Sequence, residues 1–531
     1  MTTSIDSHDI VRSQIVWRRL LSIVDEQAKT LLRAAFSPIV RECNDLSTGI
    51  FDLRGRMIAQ APVGTPGHIN TMARSVDHFI AAFPVETMQP GDVYVTNDPW
   101  LGTGHLNDYV VVTPTFHGGR PVALFASTAH ITDVGGIGLS PEGQDVYSEG
   151  VLVPMSRLVD KGVLNATLVA IAKANSRLPT ELEGDIFSLV ACNEVACRAL
   201  QGLLEEVRLD SLDTIADWII DSSEAAVRKR VADLADGSGS YSMTVDGADL
   251  PVELNGSLRI EGERVVFTWH DVPPPLRYGI NVPRAYTAAM TSYALGCVIA
   301  PDVPNNHGSL SVFEMEVAPN TLLSAERPNP VSARHVIGQL LPDVVFGCFE
   351  AIVPGLVPAE SASAVWTLTF RGEDFVNSVV TNGGTGARPG IDGLSTTAFP
   401  SAVQGTPVEV VEAMSPLVFW RRELRAGSGG RGRQNGGDGQ VIEVGTSTSE
   451  PVSLFLALDR TVYAARGRDG GENGALGELA FASGRPISGK GRFEIEPGDR
   501  VVIQTPGGGG YGSPSQRSAA AREADARNEL V

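Results

Sequence analysis

Asn97-Asp98-Pro99-Trp100-Leu101-Gly102-Thr103-Gly104-His105-Leu106-Asn107-Asp108, followed by Ala129-His130-Ile131-Thr132-Asp133-Val134-Gly135-Gly136, contains two copies of a His-x-x-Asp tetrad. Imidazole with carboxylate is the ligand set of a borderline or hard divalent cation such as Zn, Mn or Fe. Between the tetrads, Tyr109 to Pro114 and Pro121 to Ser127 are rich in Val, Leu, Phe and Thr and are broken by His117-Gly118-Gly119-Arg120. That is the pattern of a β-hairpin. Pairing about the turn sets both tetrads at one end of a sheet, with His105 and His130 expected at a rim and not in the core. An isolated His-x-x-Asp also arises by chance, and Asp108 or Asp133 beside glycines serves equally well as a turn or capping residue.

Upstream, Trp17, Leu20, Leu21, Val24, Ala28, Leu31, Leu32 and Ala35 recur at helical intervals before Pro38, predicting one amphipathic helix over residues 10–36. Short alternating segments from Cys43 to about Val153 predict a sheet layer, and Leu182 to Leu234 a helical stretch. Gly237-Ser238-Gly239-Ser240 reads as a flexible junction. Strands are expected at Tyr241 to Val245, Glu253 to Ile260 and Arg264 to Trp269, then a helix at Arg284 to Ile299. Beyond Val331 helix and strand mix, and from Pro407 the chain reads as mainly β. The expected fold class is therefore α+β, a large multi-lobed chain with mixed sheets and helical layers. Its lobes are expected at residues 1–236, 237–405 and 406–531.

At 531 residues the chain is too long for one simple core. Its 62 acidic and 42 basic residues give a net charge of -20, which argues against nucleic acid or an anionic membrane as partner. The five cysteines, Cys43, Cys192, Cys197, Cys297 and Cys348, have no zinc-ribbon or Cys-x-x-Cys spacing and read as reduced thiols. Asp6, His8 and Asp9 stand where a leader peptide would be basic and then apolar, and no apolar stretch of about 18 residues is expected. A cytoplasmic protein is the expectation. The glycine-rich run Gly427 to Gly439 lacks a Gly-Lys-Ser/Thr ending and is followed by a strand-like segment, so it reads as tight turns and not as a nucleotide loop. Gly507 to Gly510 are expected to permit positive φ and close backbone packing.

The tetrads resemble the hydantoinase B and 5-oxoprolinase family, whose pattern runs Asn-Asp-Pro-Tyr-x-Gly-Gly-Thr-His-Leu-Pro-Asp and then Ala-His-His-x-Asp-Val-Gly-Gly. Ser37-Pro38, Arg41 to Ser47, Phe51-Asp52 and Gly67-His68-Ile69 match in order, as do Asn281 to Arg284, Pro301 to Asn305, Gly383 to Gly390 and Thr505 to Gly512. The resemblance covers nearly the whole chain. Departures are Gly102-Thr103-Gly104 before His105, Ile131 in place of a second histidine, and Cys43 where the family has arginine. They bear on substrate identity more than on metal binding.

The resemblance implies a metal-binding subunit of an ATP-dependent cyclic-amide hydrolase. Its substrate would be phosphorylated on the amide oxygen by a separate hydantoinase A-type subunit that binds the ATP, in a hetero-oligomer. Asp45, His105, Asp108, His130 and Asp133 are then the candidate ligands, with His68 toward the substrate and Asp98 or Glu149 taking a proton from water. His307 and His335 are weak candidates for the substrate pocket. Related chains serve ATP-dependent acetone and acetophenone carboxylases, so a ketone carboxylase subunit is the alternative; a non-catalytic scaffold would lack the ligands.

Overall fold

A computed structural model describes residues 7–363 and 365–530; Asp6, named in the expectation about the N-terminus, lies outside them. Among the described residues, four sheets and the helices packed on them build the α+β architecture expected.

The first helix, α1 (Ser7–Ala34), ends before Ser37-Pro38, where proline opens the short α2 (Pro38–Arg41). A seven-stranded antiparallel sheet follows, made of β1 (Leu46–Phe51), β2 (Met57–Gln60), β3 (Val93–Thr96), β4 (Asp108–His117), β5 (Arg120–His130), β6 (Ser156–Asp160) and β7 (Val163–Leu164). Its spatial order is β2-β1-β5-β4-β3-β6-β7. The strands β4 and β5 form the expected hairpin, and Gly118 (φ 57°) and Gly119 (φ 76°) supply the two positive φ angles that a tight hairpin turn requires. Both faces of its central strands are covered, which explains why β4 and β5 are buried almost throughout instead of on alternate residues. On one face Val16, Leu20 and Val24 of α1 and Ala196, Leu200 and Leu203 of the helix Pro179–Val207 pack on Ile50, Ala123 and Phe125. On the other, Ile69, Met72, Val76 and Phe79 of α3 (Pro66–Ala82) pack on Phe51, Tyr94, Val110 and Leu124. The predicted helical stretch 182–234 is two helices, Pro179–Val207 and Asp213–Ala232, parted where Arg208 takes a left-handed conformation (φ 52°).

A second core joins the strands Gly237–Val245, Val252–Glu261, Arg264–His270 and Phe313–Glu316 to the helices Arg284–Ile299 and Leu341–Ile352. Here one expectation is corrected. Gly237 to Ser240 is paired strand and not a flexible junction. Its small residues serve packing, because a Cβ on Gly239 would overlap the carbonyl oxygen of Cys348. A second correction concerns hydropathy: the window His335–Ile352 is long and apolar enough to cross a membrane, with mean hydropathy 1.3. However, 78% of it is buried inside the protein, as a core helix is.

Two four-stranded sheets share the last core, residues Val365–Arg371, Val376–Asn382, Val452–Ala457 and Lys490–Ile495 in one, Leu417–Leu424, Gln440–Thr446, Glu478–Phe481 and Arg500–Gln504 in the other. Because Thr369–Arg371 pair with Ser453–Phe455, this core draws strands from before the boundary expected at residue 405. Beside it the glycine-rich segments form neither isolated turns nor a phosphate loop. They interleave as extended backbones: Gly430 N–H donates to Gly508 O, Gly508 N–H to Gly437 O, and Gly437 N–H to Thr385 O, at 2.8–3.0 Å. A Cβ on Gly508 would overlap Thr385 O, and one on Gly507 would overlap Ser428 O. The close packing expected of Gly507 to Gly510 is present, but the positive φ expected there is not: none of the four has it, and it falls two residues on, at Gly512.

Candidate metal centre

The pairing of three adjacent strands gathers the site at one end of the first sheet. Asp108 opens β4 and faces His130, the last residue of β5; across β5, Leu46 pairs with Ala129, which brings Asp45 beside His130. Asn44, with φ 60°, turns the chain into β1, and His130 N–H donates to Asp45 O at 3.2 Å. Thr65 N–H donates to Leu46 O, pinning the start of α3 here, with Pro66 in its first turn and His68 just behind.

Asp108 is the hub and is fully buried. Its Oδ2 accepts from the Thr103 hydroxyl at 2.6 Å and Arg334 Nη2 at 2.7 Å, and lies 3.0 Å from His68 Nε2. Its Oδ1 faces His105 Nε2 at 2.8 Å and His130 Nδ1 at 3.3 Å. Burial opposes the charge of Asp108, but His105, His68 and Arg334 hold it well below the usual carboxylate range. Burial and the Arg334 guanidinium push His105 down to about 4. For His68, burial works against the charged form, and Asp108 and Asp45 outweigh it to hold the ring above its ordinary value. His105, Asp108 and His130 each offer a ligand atom, all within 4.8 Å of one another. Asp45 carboxylate oxygens lie 3.5 Å from His68 Nδ1 and 4.0 Å from His130 Nδ1.

His105 and His130 are 2% and 5% exposed, so the expected rim position is corrected: sheet, α3 and the loop carrying Arg334 close over them. Asp45, His68, His105 and His130 line one cavity of about 40 Å³, which Tyr286, Arg334, His335 and Gln339 complete from the second core and Val365, Val380 and Val403 from the third. That volume admits an ion and a few waters. His335, a weak candidate in the sequence, is on this wall, and burial with Arg334 pushes it down to about 3. His307 borders a different cavity with Arg74 and Asp77.

Three sequence candidates sit elsewhere. Asp133 turns away to Arg177, whose Nη1 lies 2.6 Å from Oδ1, and its Oδ2 accepts the Arg177 N–H, so the second tetrad contributes its histidine alone to the cluster. Asp98 caps its own turn, accepting Trp100 N–H at 3.0 Å, with Arg327 at 3.8 Å. Glu149 is buried behind the loop Val331–Ser332, accepting both N–H groups, and burial pushes it up to about 8. Neither Asp98 nor Glu149 borders the cavity. Conversely Arg334, stacked on Tyr286 with 4.2 Å from guanidinium to ring centre, has no local sequence signal: it reaches Asp108 from 226 residues away.

Whether these groups fit a cation follows from proton counting. His105 Nδ1 lies 2.8 Å from Ser332 O, which only accepts, so Nδ1 carries the ring proton. A neutral His105 then turns the Nε2 lone pair toward a carboxylate oxygen at 2.8 Å. Two acceptors at that distance are stable only with a proton or a metal between them. His68 Nδ1 is likewise buried without a hydrogen-bond partner.

Comparison with known proteins agrees with this architecture. The family model described as Hydantoinase B/oxoprolinase matches residues 9–514. 5-Oxoprolinase 1 of Arabidopsis thaliana is 29% identical over 95% of this chain, which spans 42% of that relative's length. Among solved structures, the ATP-dependent caprolactamase from Pseudomonas jessenii superposes with a TM-score of 0.90 at 23% identity, covering 100% of this chain and 95% of that one. A nucleotide-free acetone carboxylase superposes with a TM-score of 0.83 at 16% identity, covering 98% and 78%.

Proposed function

This chain belongs to the hydantoinase B/oxoprolinase family, and from that premise we propose that it is the metal-binding subunit of an ATP-dependent cyclic-amide hydrolase. The observation that carries the proposal is the opposed pair His105 Nε2 and Asp108 Oδ1, 2.8 Å apart, beside a cavity bordered by His105, His130, His68 and Asp45. His105, Asp108 and His130 would hold a divalent Zn, Mn or Fe ion, with Asp45 joining them; Asp133 is committed to Arg177 and is left out of the set. Such an ion lowers the pKa of a bound water and polarises a carbon–oxygen bond.

The chain's own groups then have separate tasks. Arg334 and Thr103 saturate Asp108 Oδ2, which leaves Oδ1 to face the cation. Ser332 O sets the His105 tautomer. Uncharged at neutral pH, His335 borders the cavity, and with Asp45 it is placed to take a proton from a water there, the task assigned in the sequence to Asp98 or Glu149. The family resemblance supports phosphorylation of the amide oxygen by an ATP-binding partner subunit in a hetero-oligomer. The five free cysteines accord with a cytoplasmic setting.

The test is co-expression with an ATP-binding hydantoinase A-type subunit, followed by assay of hydantoins, 5-oxoproline and larger lactams. ATP- and metal-dependent ring opening is expected, and is lost on chelation. The likeness in fold to acetone carboxylase favours one second reading, a ketone carboxylase subunit. ATP-dependent fixation of labelled bicarbonate into a ketone, with no lactam opened, would establish that reading instead.

A further inference from the structure

Glu149 is remote from the cavity, yet it accepts the N–H of Ser332, the residue whose carbonyl orients His105; the peptide of that carbonyl is itself held by Ala333 N–H, which donates to Gly279 O at 2.7 Å. Asp145 caps the short turn Val146–Glu149, accepting Ser148 N–H at 2.9 Å. Close backbone contact rivets that turn to the loop after β5: Ile137 N–H donates to Ser148 O and Val151 N–H to Val134 O, and a Cβ on Gly136 would run into the backbone of Ser148 and Gly150. From this fixed base Glu149, 1% exposed, directs Oε1 at two consecutive N–H groups of the second core, Val331 at 2.7 Å and Ser332 at 2.9 Å. Ser332 Oγ adds a bond to Ser140 O at 2.6 Å. The carbonyl of Ser332 accepts His105 Nδ1–H, and two residues on Arg334 holds Asp108.

We propose that Glu149 is a positioning residue for the metal centre, a carboxyl latch that fixes the Ser332 carbonyl and through it the tautomer and direction of His105. The inference rests on the metal-subunit reading for its purpose, but its geometry exists without the ion. One oxygen accepts two N–H groups that water cannot reach. With the oxygen removed, both are left unpaired, and the Ser332 carbonyl keeps only the bonds of Ser332 Oγ to Ser140 O and of Ala333 N–H to Gly279 O, so it can tilt away from His105. A carboxamide oxygen would serve the same two donors, so the latch needs the acceptor atom and not the charge.

The experiment compares the full-length chain with Glu149→Gln and Glu149→Leu, using Co2+ alone as the probe. Wild type is expected to bind Co2+ with a visible ligand-field spectrum. Glu149→Leu should weaken binding about 10- to 100-fold, as removal of a group behind a ligand does, and alter the spectrum, and Glu149→Gln should recover both. In parallel, 15N shifts of the imidazoles in the metal-free chain read the tautomer directly. His105 should be protonated at Nδ1 in wild type and Glu149→Gln and mixed in Glu149→Leu. If Glu149→Leu only lowers the melting temperature while Co2+ affinity, spectrum and the His105 tautomer stay put, the latch is refuted. Absence of Co2+ binding by wild type, with the tautomer change still seen, would sink the metal-subunit reading and leave the latch standing. Should Glu149→Leu not fold, Glu149→Asp, which withdraws the oxygen by one methylene, takes its place with the same criteria.

Discussion

Arg334 Nη2 lies 2.7 Å from Asp108 Oδ2, and the two side chains are 3% and 0% exposed. The second core thus reaches into the first and neutralises the hub of its ligand cluster. Arg334 also donates through Nε to Thr103 O at 2.8 Å, so the guanidinium plane is held at both ends.

Removing that cation leaves a buried carboxylate without its partner. Arg334→Met is expected to cost about 3–5 kcal/mol of stability, read as a shift of the urea midpoint, together with weaker metal binding. Arg334→Lys keeps a charge but lacks the Nε donor, so it should recover only part of the loss. A midpoint unchanged in Arg334→Met would show that the pair does not hold the two cores together.

The ligand set makes a sharper forecast. His105→Ala and His130→Ala should each abolish stoichiometric metal, measured by plasma mass spectrometry, and with it the activity of the assembled complex. Because both rings are buried, each variant should also lose about 1–3 kcal/mol, unlike a substitution at a rim.

Asp45 and Asp133 separate in the same measurement. Asp45→Asn is expected to reduce metal retention on dialysis, whereas Asp133→Asn should keep the metal and lose stability through its broken bond to Arg177. Metal loss in Asp133→Asn alone would reverse the assignment.

Glu149 gives the fold a pH dependence. Its folded value of about 8 stands above the ordinary 4.5, so the unfolded chain releases this proton first as pH rises. The stability owed to neutral Glu149 is fully present below about pH 4.5 and is lost as pH climbs to 8, at no more than about 1.4 kcal/mol per pH unit. In Glu149→Gln that contribution is absent, so the difference in unfolding free energy between the variant and wild type should move in favour of the variant from pH 5 to pH 8. A difference that stays constant over that range would show that Glu149 ionises normally.

Where glycine backbones interleave, a single methyl group should matter. Gly508→Ala forces its Cβ against Thr385 O and is expected to cost about 1–3 kcal/mol or more. Gly262→Ala, with open space around it but φ 59°, pays only for backbone conformation and should cost less. Equal melting temperatures for the two would contradict the packing account.

Local patterning made the hairpin legible: the Gly118-Gly119 turn sets the register, and the register alone places Asp108 opposite His130. Asp45 and His68 entered through family resemblance, since nothing in their immediate sequence reveals that β1 lies beside β5. Asp133 misled because its tetrad spacing matches that of Asp108, yet it sits past the end of β5, where the chain turns toward Arg177. Arg334, Ser332 and Glu149 were beyond reach as a connected set: their link to His105 and Asp108 is a long-range contact between cores, with no periodicity to announce it. The flexible reading of Gly237 to Ser240 failed for a related reason, because close approach to a distant helix and chain flexibility call for the same residue type.

The hairpin tip offers a practical handle. Gly118 and Gly119 have no neighbouring atoms within 4 Å of a notional side chain, while the ten residues of β4 run from the tip to Asp108 inside a sheet covered on both faces. A dye or spin label spliced into that turn would hang in solvent at the far end of a stiff rod of about 30 Å from the ligand cluster. Arrival of a paramagnetic or light-absorbing ion could then be followed as a change in distance-dependent signal, in the free chain or in the assembled complex, without touching any residue of the cavity.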